Sequence, residues 1–120
     1  MSYLTQYAVR PDAVLRTARR GARVNVEVLL NRPAFDGGAS IHAYVQDTSR
    51  HPFGRRRLPQ PRLELRISDC INEINLEFSV ASYELRENSL HKVDTLIDAL
   101  TQFRAGLAAE AELRACRERR

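Results

Sequence analysis

Two hydrophobic periodicities occupying separate parts of the chain predict an α+β fold. In four segments between residues 24 and 80 apolar side chains recur at every second position; from residue 88 onward they recur mostly at every third or fourth. The first spacing predicts half-buried strands and the second an amphipathic helix. The expected architecture is therefore a four-stranded antiparallel sheet with a long C-terminal helix packed on one face, preceded by a short N-terminal helix.

The N-terminal helix is expected from Pro11 to about Arg20, with proline at its first position and Gly21 as its stop. Val24, Val26, Val28 and Leu30 alternate with Arg23, Asn25, Glu27 and Leu29, which reads as the first strand. Asn31-Arg32-Pro33 ends it, and Asp36-Gly37-Gly38 supplies a reversal before Ile41, Ala43 and Val45 resume the alternation. Leu63, Leu65 and Ile67 form a third strand. Ile74, Leu76, Phe78 and Val80 form a fourth, and Asp69 to Glu73 makes the turn between them.

The helical stripe is Leu90, Val93, Ile97, Leu100 and Leu107, flanked by Leu96 and Phe103, with Asp94, Asp98, Gln102 and Glu110 mostly opposite. Asn88 or Ser89 is expected to cap this helix, which then runs without proline to about Arg117.

A length of 120 residues fits a single domain, residues 1–120, that can bury one core without a metal or disulfide. With 43% hydrophobic and 28% charged residues the composition is ordinary for a globular protein. Trp is absent, so the core is expected to be aliphatic. No run approaches the roughly 18 apolar residues of a membrane span, and the first residues lack the pattern of a signal peptide. A cytoplasmic protein without membrane attachment is expected. Cys70 and Cys116 are too few for a disulfide framework and are read as free thiols.

Charge is distributed unevenly. Residues 1–62 hold eleven arginines and four acids, whereas residues 63–113 hold ten acids and four basic residues. The overall +4 conceals this polarity, which points to an anionic partner for one part of the molecule. The segment from Arg50 to Arg62 is the densest basic stretch: Arg50, Arg55, Arg56, Arg57 and Arg62, three prolines, Phe53 and no acid. A connection of this length is unusual in a compact domain, and mutual repulsion among its arginines predicts a flexible loop that projects into solvent. Guanidinium groups match phosphate oxygens and guanine edges, and Phe53 offers a ring for stacking. Five phosphate contacts would make log affinity fall with log salt at roughly −0.9 per contact.

Arg16, Arg19 and Arg20 form a second basic group on the expected N-terminal helix. The predicted function is thus that of a small, regulatory, non-enzymatic DNA- or RNA-binding protein forming a homodimer. The alternative is a protein-interaction module, such as an inhibitor, adaptor or assembly subunit, that uses the basic loop or the acidic face of the C-terminal helix to grip another protein, an acidic one or a second copy of itself. Asp94 and Asp98 on the helix and Tyr44 on the polar sheet face are its candidate contacts.

The bland reading of that sheet face, with Asn25, Glu27, His42, Tyr44, Gln46, Glu64, Arg66, Asn75 and Glu77, is a solvated surface of paired charges. Other functions find little support in the sequence. His91 near Asp94 is raw material for acid–base work, yet no nucleophile, oxyanion donor or cofactor loop accompanies it. The His and Cys residues have no metal-ligand spacing. No enzyme activity, cofactor or metal is expected.

Overall fold

The computed structural model describes residues 15–16, 21–35, 37–50 and 59–119. Its backbone divides into two compact units, one ending at Phe78 and the other beginning at Ser79.

The first unit is an antiparallel meander in which each strand pairs with the next along the chain: β1 (Leu15–Arg16), β2 (Ala22–Leu29), β3 (Ala39–Gln46), β4 (Leu63–Asp69) and β5 (Asn72–Leu76). Four of these correspond to the expected strands, although β5 begins at Asn72 and ends at Leu76, so that Phe78 and Val80, expected in the fourth strand, lie beyond it. The fifth, β1, is only two residues long and pairs Leu15 with Val26 and Arg16 with Asn25. Leu15 and Arg16 are thus extended and laddered to β2, where the spacing predicts helix. The rest of that predicted helix lies outside the described residues.

Register turns the alternation into cross-strand rows. Val28, Ile41, Ile67 and Ile74 stand opposite one another across β2 to β5, and Val26, Ala43, Leu65 and Leu76 form the neighbouring row. The intervening positions put Glu27, His42, Arg66 and Asn75 in one polar row, and Asn25, Tyr44 and Glu64 in another. A slip of one residue would exchange the two faces, so the apolar rows hold the register. Among the described residues Ala22 and Ala39 are the only buried apolar side chains, while most of the apolar rows are half-buried.

Local chemistry accounts for the reversals. Between β2 and β3, the Phe35 N–H donates to the Arg32 carbonyl (2.9 Å) across Pro33 and Ala34, with proline at the position where its fixed φ suits a β-turn. Leu30 N–H then bonds the Ala39 carbonyl (2.9 Å) to close the ladder. The turn from β4 to β5 is tighter than expected: Asp69 pairs directly with Asn72, leaving only Cys70 and Ile71 in the loop. Cys70 has φ 56°, the left-handed value that a two-residue hairpin requires at its first position. Gly21, at φ 96°, turns the chain into β2, a conformation that side chains other than glycine rarely adopt.

The second unit contains one helix, α1 (Tyr83–Glu118). It begins five residues before Asn88, the earlier of the two expected caps. Ser82 is the cap: its backbone is extended and its Oγ accepts from the Leu85 N–H (3.2 Å). Ser89 has a different task, since its Oγ accepts from the Ser79 N–H (2.9 Å) and donates to the Ser79 carbonyl (2.8 Å). Arg86 Nη1 adds a bond to the Val80 carbonyl (3.2 Å), so three side chains fasten residues 79–82 to the first turns of the helix. Ser82→Ala is therefore expected to destabilise α1 by about 1 kcal/mol, read as a lower helix melting temperature by circular dichroism, whereas Asn88→Ala should leave it within about 0.3 kcal/mol.

No residue of α1 is buried, and no helix among the described residues is long and apolar enough to cross a membrane. Both cysteines are free and exposed.

Candidate nucleic-acid interface

The basic loop springs from the end of the β3–β4 hairpin, and that end is tightly closed. Gln46 N–H donates to the Arg62 carbonyl (2.9 Å), and Arg62 N–H donates to Gln46 Oε1 (2.8 Å), giving a two-bond clasp across the base. Asp47 N–H bonds the Gly21 carbonyl (2.8 Å), and Asp47 Oδ1 accepts from the Ser49 N–H (2.8 Å). The Ser49 bond holds the Asp47 carboxyl below its usual range, helped by the charges of Arg23 and Arg50. Arg23 lies in the register irregularity between Ala22 and Val24, and its Nη2 is 3.1 Å from Asp47 Oδ1.

Arg62 is not a free member of the arm. Its Nη2 lies 2.8 Å from Glu64 Oε2, and its guanidinium carbon sits 4.7 Å from the centre of the Tyr44 ring. Salt bridge and cation–π contact together lay this side chain along the sheet.

Glu64 is the hub of the polar face. Besides Arg62 it meets Arg66 Nη1 (3.3 Å) and His42 Nδ1 (3.4 Å), and Arg66 Nε reaches Glu73 Oε1 (3.6 Å). His42 Nδ1 is also 3.3 Å from Arg66 Nη2, so this nitrogen can donate to Glu64 or accept from Arg66 according to the tautomer. The His42 and Glu64 side chains are only 18% and 20% exposed, which makes this a packed charge network and not a freely solvated face.

The Arg62 hydrogen bond is the largest cause lowering the Glu64 pKa below its ordinary 4.5, with the charges of Arg62, His42 and Arg66 adding to it and partial burial opposing it. A carboxylate with a depressed folded-state pKa stabilises the fold fully above its unfolded value, and the contribution disappears as pH falls through the folded value. Glu64→Gln should therefore lower the melting temperature at pH 7, and the gap between variant and parent should close as the pH is taken below 4.5. Thermal melts at stepped pH check this.

Of the residues singled out from the sequence, the structure brings Tyr44 and Arg62 together and leaves Arg50 exposed beside Asp47. Phe53, Arg55, Arg56 and Arg57 lie outside the described residues, as do Arg19 and Arg20. Arg16 is placed by its backbone alone, in β1. Asp94 and Asp98 stand one turn apart on α1, with Asp94 half-buried. Nearby Thr95 Oγ1 donates back to the His91 carbonyl (2.8 Å), an ordinary intrahelical bond.

Glu64 and Arg66 had been assigned only to a mixed polar face. Their signal is positional: once β3 pairs with β4, Tyr44 falls opposite Glu64 and His42 opposite Arg66. Among the described residues no three His, Cys, Asp or Glu side chains gather as a metal site. Comparison with protein-family models, with curated proteins and with solved structures returns no match to this chain.

Proposed function

We propose that this protein binds nucleic acid, DNA or RNA, and catalyses no reaction, using the arm between β3 and β4 to contact the phosphate backbone or a groove. The observation that carries the reading is a segment with five arginines and no acid, mounted on a hairpin end clasped by Gln46 and Arg62. A firm base lowers the conformational freedom lost when an arm docks, and guanidinium is the side chain best matched to phosphate.

Because Arg62 is committed to Glu64 and Tyr44, the arm offers four cations, Arg50, Arg55, Arg56 and Arg57, in place of five. Phe53 is a stacking or wedging side chain in this reading. The aromatic rings of the polar sheet face among the described residues are Tyr44, which is covered by Arg62, and the imidazole of His42, which lies against Glu64 and Arg66. That argues for contacts to backbone or duplex over base stacking on the sheet. Arg16, Arg19 and Arg20, just before β2 in the sequence, are further candidate phosphate contacts in this reading.

Homodimerisation is also part of this reading.

The test is fluorescence anisotropy with a 20-base-pair duplex across a salt series. Four phosphate contacts predict a slope of log affinity on log salt of roughly −3.6. No binding at low salt overturns the proposal. A protein-interaction module remains the second reading, favoured by Asp94 and Asp98 projecting one turn apart from an acidic stretch of helix. It predicts that Asp94→Lys with Asp98→Lys abolishes a protein contact and leaves nucleic-acid binding intact.

A further inference from the structure

The helix is longer than the sheet could cover in any orientation. At 1.5 Å per residue its 36 residues span about 54 Å. The longest strands have 8 residues, about 26 Å, and five strands side by side span about 19 Å, so the sheet's diagonal is about 33 Å. Some 20 Å of helix exceeds that limit, and apolar side chains continue along it. Leu100, Phe103 and Leu107 are 62%, 68% and 58% exposed. Leu90, Val93, Ile97 and Leu100 are spaced by three and four residues, and Leu107 and Ala111 follow at seven and four with Phe103 between, a spacing that keeps them on one side of the helix as in a helix–helix seam.

Charge identifies the partner and its direction. Residues 84–98 carry four acids against two basic residues, while residues 104–119 carry four arginines against three acids. Glu110 pairs with Arg114 (3.8 Å) and Glu112 with Arg119 (3.3 Å) within the helix, so each pair balances one arginine against one acid and the net charge of this stretch is positive by one. The helix is thus acidic before its midpoint and basic at its end. A second copy of the same helix, reversed, brings unlike charges together, whereas a parallel copy sets like against like.

We infer that α1 pairs antiparallel with α1 of a second copy, over residues 93–119 and centred close to Leu107. Val93, Ile97, Leu100, Leu107 and Ala111 form the seam. Asp94 and Asp98 of each copy then lie beside Arg114, Arg117 and Arg119 of the other. The arrangement is two-fold symmetric, so each complementary contact occurs twice. The inference rests on the helix and not on the arm, so it and nucleic-acid binding can fail separately.

Light scattering on the full chain at about 100 μM is expected to give twice the chain mass. Direction is read by electron–electron distance measurement on Asn88→Cys, spin-labelled in a chain also carrying Cys70→Ser and Cys116→Ser. Antiparallel pairing about residue 107 separates the two labels by roughly 55 Å, whereas parallel pairing brings them within about 20 Å. Asp94→Lys with Asp98→Lys should raise the dimer dissociation constant about tenfold or more, and adding Arg114→Glu and Arg117→Glu should restore it. A monomer at this concentration, or a dimer with the short distance, overturns the inference. The variants test surface charge alone, and the parent protein's mass does not depend on how they fold.

Discussion

Replacing Arg55, Arg56 and Arg57 together by Glu is expected to remove nearly all salt-dependent affinity for duplex DNA. With four phosphate contacts, affinity should fall roughly 150-fold between 50 and 200 mM salt; with Arg50 alone remaining, the fall shrinks to roughly threefold. Three added carboxylates repel phosphate as well, so binding at 150 mM salt should drop below detection. The informative control is Arg62→Ala. Its guanidinium is bound to Glu64 and laid over Tyr44, so its loss should lower the melting temperature and leave the salt slope unchanged. A slope reduced by about one unit in Arg62→Ala, with no change in the triple variant, would move the interface from the arm to the sheet. Anisotropy titrations of the three proteins at five salt concentrations make the comparison.

Ile67→Asp should destabilise the sheet by about 3 kcal/mol, the largest single-residue effect expected here. Ile67 is central in the row Val28, Ile41, Ile67 and Ile74 and is half-buried. Truncating it removes transfer free energy from a packed row, and the new carboxylate must either lose water or force its neighbours apart. One residue along, Ser68 faces the opposite side between Ser40 and Glu73. Ser68→Thr should stay within about 0.5 kcal/mol of the parent, because a β-branched side chain suits that pleated, polar surface. Urea unfolding followed by far-ultraviolet circular dichroism measures both. Equal effects at the two positions would mean that the faces are not divided as the register divides them.

These expectations depend on different amounts of structural information. The division of the sheet into apolar and polar faces was legible in the sequence, because side chains alternate along a strand whatever it pairs with. Val24, Val26 and Val28 were bound to share a face, as were Ile41, Ala43 and Val45. The helix too was legible from its 3.6-residue period, although its start was not. Tyr83 to Ser89 has no apolar stripe of its own, and Ser82 becomes a cap only through its bond to the Leu85 N–H. The tight turn at Cys70 was obscured by the absence of Gly or Asn, the usual residues at positive φ. Asp69 and Asn72 were accordingly read as loop and not as the last ladder pair.

The site divides along the same line. Its cationic content was plain, since five arginines without an acid is a matter of composition. The commitment of Arg62 to Glu64 and Tyr44 was not, because those contacts exist only when β3 lies against β4. A connection of some sixteen residues separates the two strands, and closing it depends on long-range packing that no local pattern encodes. By itself the sequence determined which residues share a face and where charge accumulates, since both follow from backbone geometry and covalent order. Tertiary structure alone decided which charges neutralise one another across strands and which arginines remain for a partner, because pairing energies depend on distances set only after the sheet assembles.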